Sequence, residues 1–219
     1  LFTSFNETQN IHKDFINKTI HVGMPVRLYS FPKSIKENNN NNFKICVIGG
    51  SQGAKSFSNF IPKAIMKLQN ENNVICVVNH QARKEDINLV KNTYVSSRVK
   101  SNVQQFFYDM PRRIFESDLI ISRSGSSTVN EIIYYRKPSI LIPYPYAIED
   151  HQYHNARELE KRSIGKIILN QDLNTQKIYL EMLKIFKNKV KRKYIAFSNP
   201  KLVNLNPCEK IYDLIKNDL

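Results

Sequence analysis

The 219-residue chain is 41% hydrophobic, enough to bury a real core, and it contains no apolar run near the ~18 residues of a membrane span. Thirty-three Lys and Arg against nineteen Asp and Glu give a net charge of +14, which favours anionic partners: phosphorylated substrates, acidic lipid surfaces or nucleic acid. Three cysteines without metal-ligand spacing, and no signal-peptide pattern, argue for reduced thiols and against a disulfide scaffold.

Residues 1–20 mix aromatic and polar side chains without a clear period. Leu1 is not an initiator residue, so an upstream part is expected to be missing or removed. His21-Val22-Gly23-Met24-Pro25-Val26-Arg27 follows as a turn. Ser30 to Asn42, with Pro32 and five consecutive asparagines (Asn38 to Asn42), cannot bury much surface and reads as a linker or mobile loop.

From Phe43 the period becomes regular. Phe43 to Ile48 is an apolar strand, Gly49-Gly50-Ser51-Gln52-Gly53-Ala54 a tight turn, and Phe57, Phe60, Ile61, Ala64, Ile65 and Leu68 form one helical stripe. Pro62 interrupts that stripe and predicts a kink or a restart. Further on, the pattern predicts strands over Val74–Val78, Leu119–Ser122, Ser139–Ile142 and Ile164–Leu169, with Arg98–Phe107 partly extended. Helices are predicted over Gln81–Lys91, Met110–Glu116, Val129–Arg136 and His151–Arg162, then after Asn170 and over Glu209–Leu219. Strands alternating with helices predict an α/β fold with a parallel sheet covered on both faces. Ligands in such folds bind at the carboxyl ends of the strands.

Three loops meet that description. The first, Gly49 to Ala54, is either a connection that uses glycine only for geometry or a phosphate cradle, where helix-start amides and the dipole favour an anion. It fits neither G-x-x-x-x-G-K-[ST] nor G-x-G-x-x-G. The second, Arg123-Ser124-Gly125-Ser126-Ser127-Thr128, repeats the design and adds a cation able to meet phosphate. Glu131 stands three residues after Thr128, as in a capping box; the alternative is a carboxylate that accepts from two ribose hydroxyls. The third runs through Pro143-Tyr144-Pro145-Tyr146 into Glu149-Asp150-His151-Gln152-Tyr153-His154-Asn155-Ala156. Asp150, His151 and His154 do not have H-E-x-x-H spacing, so hydrogen bonding of His151 and Gln152 to a sugar is preferred over a metal site. No nucleophile elbow is present.

Together, Gly49 to Ala54, Arg123-Ser124-Gly125 with Thr128 and Glu131, and Glu149 to Ala156 resemble the MurG family. Its members transfer N-acetylglucosamine from its UDP sugar to the lipid-linked muramyl-pentapeptide precursor of peptidoglycan. Order and spacing agree over most of Gly23 to Asn170, and Gly23-Met24-Pro25-Val26-Arg27 is similar to the family's G-N-P-V-R opening of the second domain. The resemblance implies a Rossmann-like sheet forming the donor-binding half of a B-type, inverting glycosyltransferase. It divides the chain into residues 1–22, the end of a missing amino-terminal acceptor domain; 23–42, an interdomain segment; 43–205, the donor domain; and 206–219, a terminal helix. By the same resemblance Ser51 faces the diphosphate and Arg27 lines the cleft. Phe107, within Phe106-Phe107-Tyr108-Asp109-Met110, belongs to the segment whose main chain reads uracil. Ser126, Ser127, Thr128, Val129, Asn130 and Glu131 hold phosphate and ribose, and His151 and Gln152 contact the sugar.

Met24 replaces the family's asparagine, a change expected to affect the hinge more than the site, and Glu149 replaces an aspartate. The catalytic base is expected in the absent half, so no catalytic residue is assigned to this chain, and no cofactor or metal. Partners implied are UDP-N-acetylglucosamine, the lipid-linked acceptor, the missing domain and an acidic membrane surface, with peripheral location at the cytoplasmic face of the bacterial inner membrane. The cluster Lys184, Lys187, Lys189, Lys191, Arg192 and Lys193 is either a solvated helix face or a membrane or nucleic-acid contact. Two alternatives stay open: another UDP-sugar transferase with the same donor half, and a nucleic-acid-binding module using the basic tail with Tyr194 and Phe197. No nucleic-acid motif supports the second, so no nucleic acid is counted among the partners.

Overall fold

The computed structural model describes residues 1–5, 7–8, 11–26, 42–50, 54–188 and 207–217. A short parallel pair, β1 (Phe2–Thr3) with β2 (Ile20–His21), flanks α1 (Lys13–Ile16). Then come β3 (Asn42–Ile48), α2 (Lys55–Asn72), β4 (Ile75–Gln81), α3 (Ile87–Ser96), β5 (Lys100–Gln104) and α4 (Met110–Glu116). The chain continues through β6 (Leu119–Ser122), α5 (Ser126–Tyr135), β7 (Ser139–Leu141), α6 (His151–Lys161), β8 (Gly165–Ile167), α7 (Thr175–Lys187) and α8 (Pro207–Asn217).

Six strands pair in parallel in the order β5-β4-β3-β6-β7-β8. Side chains of a strand alternate between faces, and β3 shows what that does here. Phe43, Ile45 and Val47 pack into one core with α2, α3 and α7, while Cys46 and Ile48 pack into a second with α4, α5 and α6. A sheet buried on both sides has almost no polar positions to give away, which is why β6 reads Leu-Ile-Ile-Ser and all four residues are buried. The expected α/β class, with helices on both faces, is observed.

The structure departs from the sequence pattern most clearly at Pro62, at Gln81 and at the start of α5. Of the kink or restart expected at Pro62, the restart is absent: α2 runs as one helix with Pro62 buried inside it. The buried stripe Phe57, Ile61, Ala64, Ile65 and Leu68 outweighs the ~3 kcal/mol that an interior proline costs. The predicted helix at Gln81 is still strand, because Gln81 pairs with both Ile48 and Gln104, and α3 begins only after a short 3-10 turn at Lys84–Asp86. The helix predicted from Val129 starts three residues earlier, with consequences for Glu131 described below.

Residues near the amino end pack on the sheet domain. Phe5 lies against the core beneath α4, α5 and α6, Glu7 pairs with Lys161, and the His21 carbonyl accepts from Lys210 Nζ of α8 at 2.6 Å. Among the described residues no helix is long and apolar enough to cross a membrane. Burial pushes the thiols of Cys46 and Cys76 up to about 12, so neither is a thiolate at neutral pH, and Cys208 is exposed.

His80 on β4 is fully buried, with Nδ1 2.9 Å from the Tyr94 hydroxyl, and burial holds its imidazole down at about 3. The folded state therefore keeps His80 neutral, whereas the unfolded chain protonates near 6.5. Its contribution is fully present above that value and is lost as pH falls below it, at about 1.4 kcal/mol per pH unit. Urea unfolding between pH 7 and pH 5 should show this slope in the native chain and a shallower one in His80→Gln; equal slopes would assign the acid sensitivity elsewhere.

Candidate functional site

The chain leaves β3 outward to β4 and β5, then returns to β6 on the other side of β3 and continues to β7 and β8. The carboxyl ends of β3 and β6 are therefore the topological switch point of the sheet, the place where open α/β sheets bind ligands in a crevice. Gly50 after β3 has φ +82°, a left-handed turn that suits glycine. The roots of the two loops are pinned together, since the Arg123 amide donates to the Ile48 carbonyl at 3.2 Å. At this edge α2 is capped by Ala54 and α5 by Gly125; neither has a side-chain cap or an acidic residue in its first turn. Two helix dipoles thus reach the crevice without local neutralisation.

The early start of α5 removes the capping-box reading. Gly125, extended at φ −61° and ψ 146°, is the cap, so Thr128 lies inside the first turn and Glu131 in the second. Glu131 is buried, and its charge reaches the Cys46 thiol together with those of Arg113 and Asp109. Val129 is fully buried in the same core, leaving only its main chain to meet a ligand. Asn130 Nδ2 donates to the Ser126 carbonyl at 2.9 Å.

Arg123 occupies the junction of four loops. Its Nη1 donates to the carbonyls of Ile142 (3.0 Å) and Pro143 (2.9 Å), and its Nη2 to Asn170 Oδ1 (3.0 Å) and Ser56 Oγ (3.4 Å). The guanidinium carbon lies over the Phe57 ring, 4.9 Å from its centroid, and over the Tyr144 ring, 5.7 Å from its centroid. Burial lowers the guanidinium to about 10, so it stays cationic at neutral pH, and among the described residues no carboxylate is paired with it. Arg123 thus braces the first turn of α2 and the loops after β6, β7 and β8.

The third loop carries its own constraint. Glu149 (φ 50°) and Asp150 (φ 52°) are consecutive left-handed residues, a conformation that costs a non-glycine backbone energy and is retained where surroundings enforce it. His151 Nδ1 lies 2.8 Å from the Ile148 carbonyl, which requires the proton on Nδ1 and makes Nε2 of the neutral ring an acceptor. Gln152 Oε1 accepts from the Tyr144 amide at 3.0 Å, and Asn155 Nδ2 donates to the Ser124 carbonyl at 3.1 Å, tying α6 to the second loop. Among the described residues no group of three or more His, Cys, Asp and Glu converges as a metal site.

Phe107 is buried in the core with Met110 and Ile114, so its ring anchors the Phe106 to Met110 segment and only its main chain is available to a ligand. Of the residues singled out from sequence, Phe107, Arg123, Ser126 to Glu131, His151 and Gln152 lie in loops or in the first two turns of helices at one edge of the sheet. Arg27 and Ser51 lie outside the described residues, as do Lys189, Lys191, Arg192, Lys193, Tyr194 and Phe197. Of the basic cluster, Lys184 pairs with Glu181 on α7.

Met24 is not confined to a hinge: its sulfur sits 3.5 Å from Ser126 Oγ and 3.9 Å from Asn130 Nδ2, at the start of α5. Asn170 and Asn155 were missed by sequence reasoning. Asn170 follows β8, so applying the carboxyl-end rule to a fourth strand would have found it; Asn155 sits inside a helix and carries no such signal.

The model of the glycosyltransferase family 28 C-terminal domain matches residues 44–211. A Rickettsia bellii protein named UDP-N-acetylglucosamine--N-acetylmuramyl-(pentapeptide) pyrophosphoryl-undecaprenol N-acetylglucosamine transferase is 34% identical over 190 residues, covering 84% of this chain and 53% of the relative. An Agrobacterium fabrum protein of the same name is 40% identical over 168 residues, 75% of this chain and 44% of the relative. The chain spans about half the length of these curated relatives. The crystal structure of Acinetobacter baumannii MurG matches with a TM-score of 0.76 at 22% identity, over 99% of this chain and 60% of that one. The glycosyltransferase of kitacinnamycin matches at 0.65 and 12% identity, over 93% and 50%. These structural likenesses speak to the fold, one Rossmann-like half of a B-type glycosyltransferase.

Proposed function

Because the chain belongs to the glycosyltransferase family 28 C-terminal domain family, we propose that it is the donor-binding half of an inverting hexosyltransferase. The reaction is transfer of N-acetylglucosamine from UDP-N-acetylglucosamine to a lipid-linked muramyl-pentapeptide in peptidoglycan synthesis, a step that bears on cell shape and division. The observation that carries this reading is the crevice between β3 and β6. Two helix starts with no side-chain cap and no first-turn acid, and beside them a cation with no carboxylate paired to it among the described residues, suit a diphosphate.

In this reading residues 43–205 form the donor-binding unit, 23–42 lead into it, and 1–22 and 206–219 flank it. Ser51 and the amides of Ser126 to Asn130 meet the diphosphate, Glu131 the ribose, the main chain around Phe107 the uracil, and His151 and Gln152 the sugar, while Arg27 lines the cleft. An acceptor hydroxyl attacks the anomeric carbon from the opposite side as the bond to UDP breaks. Negative charge grows on the leaving diphosphate, and preorganised amides and Arg123 stabilise it there. The base that takes the acceptor proton belongs to an amino-terminal half. The charge of +14 draws the chain to acidic lipid, a peripheral contact at the cytoplasmic face of the inner membrane.

Calorimetric titration with UDP-N-acetylglucosamine and UDP-glucose tests this. Saturable binding that prefers the acetylated sugar is expected. A preference for UDP-glucose would point to another UDP-sugar transferase, and no UDP-sugar binding by the folded chain, with or without an amino half from a relative, would overturn the proposal.

A further inference from the structure

The Phe106 to Met110 segment is held by a side chain that no motif contains. Arg113, at the middle of α4, donates from Nε to Asp109 Oδ1 at 2.7 Å and from Nη1 to Asn79 Oδ1 on β4. Its guanidinium carbon lies 4.2 Å from the centroid of the Phe107 ring. One planar group therefore joins an interior strand, the residue that caps α4, and the buried ring of the loop between β5 and α4. Its side chain is only 19% exposed, and the carboxyl of Asp109 is held below the usual carboxylate range chiefly by the hydrogen bond from Arg113. The neighbours Phe106 and Tyr108 are exposed, so the loop has little other packing of its own.

We propose that Arg113 is a positioning residue for nucleobase selection: by clasping Asp109, Asn79 and the Phe107 ring it fixes the main chain of residues 105–109 where that chain reads uracil. This rests on the donor reading above. Uracil presents an N3–H donor beside an O4 acceptor, and cytosine presents the reverse pair, N3 acceptor beside N4–H donor. A main-chain reader distinguishes them only if its amide and carbonyl are held in place, because a shift of about an ångström removes both hydrogen bonds. Lysine cannot replace the fork, having neither the planar face for the ring nor two divergent donors for Asp109 and Asn79.

The test uses the whole chain and the variants Arg113→Ala, Arg113→Lys and Asn79→Ala. Hydrogen exchange without ligand should show amides 105–109 exchanging about tenfold faster in Arg113→Ala and close to native in α2. In calorimetry the native chain should prefer UDP over CDP. Arg113→Ala should bind UDP about tenfold more weakly, with the UDP to CDP ratio falling toward one and pyrophosphate affinity unchanged. Arg113→Lys should recover little of the ratio, and Asn79→Ala should reproduce part of the loss. An arginine that served only stability would weaken UDP, CDP and pyrophosphate together, and that result, or unchanged loop exchange, overturns the proposal. A native chain that does not distinguish UDP from CDP instead overturns the uracil reading on which it rests.

Discussion

Arg123→Ala is expected to weaken UDP binding by about two orders of magnitude and to lower stability by about 2 kcal/mol. The two losses have different origins. Affinity falls because a cation beside two helix starts is removed, in a region where partial burial reduces screening of its charge. Stability falls because the Ile142 and Pro143 carbonyls and Asn170 Oδ1 lose a donor that water only partly replaces. Arg123→Lys separates these effects: it keeps the charge and should recover about tenfold of the affinity, while one ammonium cannot span Ile142, Pro143 and Asn170, so the stability loss remains. Calorimetry with UDP and urea unfolding of the three proteins measure both quantities. If Lys restores neither, Arg123 acts on the site only as a brace.

How far these roles were legible in sequence follows from what each signal depends on. The strands were found because a sheet buried on both faces forces continuous apolar runs, as in Leu119 to Ile121, and α4 was placed residue for residue. Arg123 could be named from its place after a strand and before a helix, since local order alone decides that. Its bracing of Ile142, Pro143 and Asn170 could not, because those partners are 19, 20 and 47 residues away and meet only when β6, β7 and β8 pair. Arg113 shows the same limit, with Asn79 34 residues distant.

Where sequence reasoning failed, tertiary packing overrode a local preference. Pro62 keeps its helix because the stripe around it is buried, and the start of α5 moved to Ser126 because Gly125 takes the extended cap conformation that the pattern assigned to Thr128. The Met24 contact with Ser126 and Asn130 joins residues more than a hundred positions apart, beyond the reach of any spacing argument.

The move of that cap makes Glu131 the sharper second prediction. As a capping-box partner its removal would cost helix stability and leave nucleotide preference untouched. Glu131 lies in the second turn of α5, outside the capping-box position, and is buried where its charge reaches Cys46 together with those of Arg113 and Asp109. A carboxylate there suits the two vicinal hydroxyls of a ribose, which donate to its two oxygens together. Glu131→Ala should therefore weaken UDP binding about a hundredfold, as two hydrogen bonds to a charged acceptor are lost, and should bring UDP and 2′-deoxy-UDP to similar affinities. Glu131→Gln keeps the shape, retains one acceptor oxygen and should lose about tenfold. The decisive quantity is the ratio of the two nucleotides rather than either affinity. Should Glu131→Ala keep the native preference for the ribonucleotide, the carboxylate serves packing around Cys46, and the sugar of the nucleotide is held by other groups at the crevice.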